Sequence, residues 1–334
     1  MTLHPSITFL AGLIIIIVGA ELLLHGASHI ATLLKIKPII IGLTVVSVGT
    51  SMPELAVGIT AAMEDKGALA VGNIAGTNIF NILFILGLSA VIRPLPLHLL
   101  SIKLDVPVMI ATALVLIAMA WDGVLNQAEG LVLISAAIIY TIALIQLSKR
   151  ESAAMRHEFA EEYGAGSVKL PTGIVLPGTR LNIGLWNGLL LMLGIFLTVL
   201  GAELMVTGAT GIAQSYGISD AVIGLTIVAI GTSAPELAST MLATFKNDRD
   251  VAIGNLIGSG IYNILVILGI TSIVAPSGIN VSDEILMIDL PLAAMVAIVC
   301  LPVFKSDRLV SRREGLFFVI AYLIYFSSLL LLRT

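Results

Sequence analysis

A carboxylate, two hydroxyls and a proline interrupt an apolar run twice in this chain. The first copy is Gly49-Thr50-Ser51-Met52-Pro53-Glu54 and the second is Gly231-Thr232-Ser233-Ala234-Pro235-Glu236. An ionisable group at membrane depth is costly and by default marks function. Proline cannot donate to the carbonyl four residues back and clashes with it. Pro53 and Pro235 therefore predict a helix break at 49–53 and at 231–235, with backbone carbonyls freed there. Irregular backbone at that depth is tolerated where it lines a cavity. Two broken helices in matching places of two halves point to a ligand held between the halves, near the midplane.

The composition sets the medium. Of 334 residues, 58% are hydrophobic and 11% charged, and the mean hydropathy is +1.08. A soluble domain carries about 25% charged residues, so this is an integral membrane protein with little mass outside the bilayer. The signatures of structural zinc, HExxH metalloproteases and P-loop nucleotide sites are absent. The single cysteine, Cys300, lies in an apolar stretch and reads as packing. No cofactor, nucleic acid or protein partner is implied. No positive region precedes the first apolar run, so that run reads as a retained helix.

Ten segments reach the roughly 20 apolar residues that a spanning helix needs: 6–25, 38–62, 68–92, 104–121, 126–148, 184–205, 219–245, 250–275, 285–303 and 313–332. The rare polar letters repeat at an offset of 182. Glu21 matches Glu203, Thr44 matches Thr226, Glu54 matches Glu236, Asn73 matches Asn255 and Asn81 matches Asn263. Later, Asp105 and Pro107 match Asp289 and Pro291 at an offset of 184. The fold class predicted is an all-α polytopic membrane protein of ten transmembrane helices, as two inverted five-helix repeats at 1–148 and 184–334. A solvated linker at 149–183 joins them. Five spans per repeat is odd, so the second copy enters from the opposite side. Numbering the loops alternately puts 15 of the 17 Lys and Arg on one side and only Lys66 and Arg333 on the other. Positive charge marks the cytoplasmic side. The linker is then cytoplasmic and both termini extracellular, as expected for a multi-pass protein of the plasma membrane.

Spans three and eight add polar groups. Thr77 and Asn81 lie four apart on one helix face, as do Ser259 and Asn263, and Gly76 and Gly258 permit close helix approach. The candidate donors are carboxylates, hydroxyls, amides and carbonyls. Hard oxygens of this kind suit Ca²⁺ or Na⁺ and not copper or zinc. Two ionised glutamates match one Ca²⁺. The bland alternative makes Glu54 and Glu236 protonated carboxyls that brace neighbouring helices. Glu21, His25 and His29 share one helical face toward the cytoplasmic end of span one, but the histidines are not duplicated, so they read as interfacial. Asp105 and Asp289 precede prolines and read as helix N-terminal caps.

At GTSxPE and G[ST]xIxN the chain resembles the cation/calcium antiporter superfamily, in its sodium/calcium exchanger branch. The resemblance covers nearly the whole chain. It implies exchange of several Na⁺, usually three, for one Ca²⁺ by alternating access at a central acidic site. Glu54 and Glu236 would bridge Ca²⁺ and alternately serve Na⁺. Thr50, Ser51, Thr232 and Ser233 would supply hydroxyl or carbonyl oxygens, Thr77 and Ser259 would complete outer Na⁺ sites, and Asn81 and Asn263 would line the centre. The carbonyls of Ser47 and Ala229 are weaker candidates. Asn263 stands where some members carry Asp, which argues against potassium co-transport, and Gly260 stands where the motif often has Asn. The other readings are a Ca²⁺/H⁺ or other divalent cation antiporter, a passive cation channel, and an intramembrane enzyme. The last lacks a histidine partner for Ser51 or Ser233.

Overall fold

The computed structural model describes residues 4–34, 36–97, 101–150, 180–217, 227 and 229–332. Among these, seven helices are long and apolar enough to cross a bilayer: α1 (Pro5–Leu34), α4 (Gly67–Ile92), α5 (Ser101–Asp122), α6 (Gln127–Leu147), α7 (Gly184–Ser215), α10 (Arg249–Val274) and α11 (Ile285–Lys305). The pair α2 (Pro38–Thr50) and α3 (Met52–Met63), bent by 43°, passes as one broken span. The remaining helices are α8 (Ala229–Thr232), α9 (Ala234–Lys246) and α12 (Arg312–Leu332). The expected span at 219–245 lies partly outside the described residues, as does most of the expected linker.

Hydropathy ended the first and sixth spans at 25 and 205, but α1 runs to Leu34 and α7 to Ser215. Packing extends the first of them. Gly26, Ala27 and Ala31 are buried near the end of α1. Glu21 consequently lies well inside α1, not near its end, and ion-pairs with Lys246 at the end of α9. His25 and His29 stack with ring centroids 4.2 Å apart.

Helices α1 and α7 run antiparallel along a seam of glycines spaced by seven. A Cβ on Gly12 would stand 2.4 Å from the Met205 amide nitrogen, one on Gly19 2.5 Å from that of Thr198, and one on Gly26 2.7 Å from that of Leu191. The partners rise in number along α1 as they fall along α7. The other side of the seam repeats the arrangement. A Cβ on Gly194 would stand 2.3 Å from the Leu23 nitrogen, one on Gly201 2.6 Å from that of Ile16 and one on Gly208 2.3 Å from that of Phe9. These glycines match the first three at the offset of 182. Close backbone approach of this kind is how helices associate where lipid removes the hydrophobic drive.

Two short antiparallel strand pairs tie the halves together. Leu95 and Pro96 pair with Val310 and Leu309, and Val124 and Leu125 pair with Asn280 and Ile279. One pair joins the segment after α4 to the segment before α12, and the other joins the segment before α6 to the segment after α10. Each pair therefore maps onto the other when the halves are exchanged. Reciprocal capping boxes continue the match. Glu129 N donates to Asn126 and Asn126 N to Glu129, and the same bonds link Ser311 and Glu314, at an offset of 185.

Asp105 is not a cap. Helix α5 continues upstream through a π-helical turn at Ser101–Asp105, so no free N–H groups await it. Its buried carboxylate instead accepts from the Tyr140 hydroxyl at 2.9 Å. Asp289 also ends a π-helical turn, Ile285–Asp289, and makes no side-chain cap bond.

Candidate functional site

Both proline breaks form where the sequence places them. Ser51 leaves helical geometry at φ −82°, ψ 13° and Ser233 does so at φ −88°, ψ 9°. Pro53 and Pro235 then occupy the first turns of α3 and α9, where a missing N–H costs nothing. Glu54 and Glu236 follow in the same turns. The positive end of a helix dipole favours a carboxylate there, and each carboxylate also faces its own backbone N–H.

The two motifs interlock. The Ser51 hydroxyl donates to Glu236 Oε1 at 3.1 Å, with the Thr50 hydroxyl beside the same carboxylate. Reciprocally, the hydroxyls of Thr232 and Ser233 lie beside Glu54. The described ion pairs, Lys66–Glu64 and Lys246–Glu21, are elsewhere.

Helices α4 and α10 close the site. The Ser233 hydroxyl donates to Thr77 Oγ1 at 3.3 Å. Asn78 Nδ2 donates to the Gly260 carbonyl at 3.2 Å, and Asn263 Nδ2 donates to Asn78 Oδ1 at 3.1 Å. Residues 78 and 260 are repeat equivalents, so their contact lies where the halves meet. A single Asn serves both halves there, which accounts for Gly260. π-helical turns at Phe80–Leu86 and Asn263–Leu268 carry Asn81 and Asn263. Such turns cluster at functional sites, and nothing in the letters announced them. Gly254 and Gly258 press α10 onto α2, where added Cβ atoms would meet Ile39 O at 2.5 Å and Leu43 O at 2.4 Å.

Glu54, Glu236, Ser51, Thr50, Asn81, Ser233, Ser259 and Asn263 are fully buried. Among the described residues, both Glu54 oxygens, Glu236 Oε2, Asn81 Oδ1, Asn263 Oδ1 and Ser259 Oγ take no hydrogen bond of normal geometry. A buried polar atom without a partner costs about 1–3 kcal/mol. These six oxygens, three of them on the two carboxylates, are hard donors of the kind that suits a hard cation. The carbonyl of Ser47 is already engaged, accepting from Ser51 N at 3.1 Å and from the Thr50 hydroxyl at 3.3 Å. Ala229 opens α8. Residues missed from sequence are Asn255, Ser239 and Thr240. Thr50 Oγ1 donates to Asn255 Oδ1 at 3.2 Å, and Asn255 Nδ2 donates to Ser239 Oγ at 3.0 Å. Asn255 showed only as a repeated polar letter, and Ser239 and Thr240, to which its amide donates, are not repeated.

The chain matches the family described as sodium/calcium exchanger protein over residues 4–146 and 186–331. CaxA of Alkalimonas amylolytica, a proposed antiporter, is 36% identical over 327 residues, covering 97% of this chain and 98% of that one. The sodium/calcium exchanger MaX1 of Methanosarcina acetivorans is 28% identical, with 95% of each chain covered. A solved structure of the sodium-calcium exchanger NCX_Mj, soaked with Na⁺ and Sr²⁺, superposes with a TM-score of 0.79 at 27% identity, over 98% of this chain and 99% of that one.

Proposed function

The chain belongs to the sodium/calcium exchanger family, and on that premise we propose that it exchanges three Na⁺ for one Ca²⁺ by alternating access at the Glu54–Glu236 site. The observation that carries this reading is the interlock of the two motifs. Two buried carboxylates, each with hydroxyls of the opposite half beside it, carry three oxygens that take no hydrogen bond. In the proposal both carboxylates bridge Ca²⁺ and then divide among Na⁺ ions. Thr50, Ser51, Thr232 and Ser233 supply neutral oxygens, Thr77 and Ser259 complete outer Na⁺ positions, and Asn81 and Asn263 line the centre. Ala229 O is a lesser candidate. Ser47 O is the weakest, since it already accepts two bonds.

The architecture proposed is ten helices in two inverted five-helix repeats, at 1–148 and 184–334, with the 149–183 linker cytoplasmic and both termini outside. The antiparallel run of the repeat-equivalent α1 and α7 supports the inversion. The strand pairs support the sidedness. One joins the two Arg- and Lys-bearing segments around 95 and 309, and the other joins segments poor in them. In this reading the chain sits in the cell membrane as a multi-pass protein. With three Na⁺ for one Ca²⁺, one net charge crosses per cycle, worth about 2.3 kcal/mol per 100 mV.

Purified protein in proteoliposomes, with Na⁺, K⁺ and H⁺ gradients imposed one at a time, tests the reading. Ca²⁺ accumulation is expected with an outward Na⁺ gradient alone, and a membrane potential should alter its rate. Accumulation driven only by the H⁺ gradient would assign a Ca²⁺/H⁺ antiporter, and Ca²⁺ movement without any counter-ion would assign a channel.

A further inference from the structure

We propose that Asn255 is a positioning residue for the cation site, holding the Thr50 hydroxyl so that its oxygen lone pairs serve the ion beside Glu236. The inference rests on the exchange reading above. A hydroxyl has one proton and two lone pairs, and a cation can use only a lone pair. The Thr50 proton therefore needs an acceptor other than the carboxylate that shares the ion. Asn255 Oδ1 supplies one at 3.2 Å, supplemented by Ser47 O at 3.3 Å.

The orientation of the Asn255 amide is itself fixed. Its Nδ2 donates to Ser239 Oγ at 3.0 Å and to Thr240 Oγ1 at 3.3 Å. Ser239 Oγ gives its own proton to the Glu236 carbonyl at 3.2 Å, so it can only accept from the amide. Turning Asn255 over would set its oxygen against Ser239 and its NH₂ against Thr50. The donations thus run in one direction, from the Thr50 hydroxyl beside the Glu236 carboxylate, through Asn255 and Ser239, to the Glu236 backbone carbonyl. Asn255, Ser239 and Thr240 are all buried, at 1%, 1% and 0% exposure, so water does not compete.

The first half lacks the two hydroxyls that anchor this amide. Asn73 is the repeat equivalent of Asn255, but Val57 and Gly58 stand where Ser239 and Thr240 do. Among the described residues, Asn73 Nδ2 has no hydrogen-bond partner. The two halves are therefore unequal, in that the Asn255 amide nitrogen is anchored and that of Asn73 is not. Na⁺ draws half the Coulomb attraction of Ca²⁺ from each carboxylate and leans more on neutral oxygens, so the loss should fall mainly on Na⁺.

The test is exchange kinetics in proteoliposomes with Asn255→Leu and the milder Ser239→Ala. Groups that orient metal ligands are worth roughly 10–100-fold in metal affinity. In both variants the half-saturating Na⁺ concentration is expected to rise about tenfold, with the Ca²⁺ value and the maximal rate changed far less. On a Thr50→Val background, Asn255→Leu should add no further shift, because it acts through that hydroxyl. Unchanged Na⁺ half-saturation in Ser239→Ala and Asn255→Leu, or shifts that add to that of Thr50→Val, would overturn the inference while native exchange stood. Absence of Na⁺-driven Ca²⁺ movement in the native protein would overturn the exchange reading as well.

Discussion

Glu54→Gln and Glu236→Gln should each abolish Na⁺-driven Ca²⁺ uptake, lowering the rate by more than about a hundredfold. Gln keeps the shape of Glu and can still accept from a hydroxyl, as Glu236 Oε1 does from Ser51, so folding should survive. What is lost is one unit of charge. A carboxylate oxygen binds Ca²⁺ at about 2.3–2.6 Å, where its attraction for a divalent ion is on the order of 10 kcal/mol even at an effective dielectric of 20. An amide dipole replaces only part of that, and each 1.4 kcal/mol is about tenfold. The loss should be similar for the two substitutions, because in the proposed site the carboxylates face one ion from opposite halves. Initial rates of radioactive calcium uptake measure it, with circular dichroism and size exclusion confirming the fold. A variant that retained more than a tenth of the native rate would contradict the assignment of its carboxylate.

The second large effect is mechanical. Gly194→Val should destabilise the protein by about 3 kcal/mol or more, since overpacking usually costs 1–3 kcal/mol where side chains can move aside. Here they cannot. The new Cβ would lie 2.3 Å from the Leu23 nitrogen and 2.7 Å from its Cα, and backbone must shift along the whole seam. Gly188→Val on the same helix is the control, because nothing lies within 4 Å of its added Cβ. Thermal unfolding in detergent should separate the two variants widely. Equal transitions would mean that α1 and α7 are not packed as described.

Much of this molecule was legible in its letters. The rare polar residues carried the duplication, and proline chemistry located both helix breaks to within a residue or two. The seam between α1 and α7 was equally duplicated, at Gly12, Gly19 and Gly26 against Gly194, Gly201 and Gly208, yet it was not read. Glycines spaced by seven gain meaning only when an antiparallel partner supplies the backbone they admit. Asp105 was misread for a related reason. Before a proline, an Asp reads as a cap, but the π-helical turn upstream leaves no N–H to cap, and Tyr140, 35 residues on, takes the carboxylate. The π-helical turns have no residue signature at all. The network through Asn255 was hidden because it breaks the repeat, and repetition was the guide to what mattered.

The most direct measurement is equilibrium Ca²⁺ binding to the purified protein in detergent, at rising Na⁺. One Ca²⁺ per chain is expected, displaced by Na⁺ with a Hill coefficient above one, and lost when Glu54 and Glu236 are both changed to Gln. Undiminished Ca²⁺ binding by that double variant would contradict a cation held between the two carboxylates.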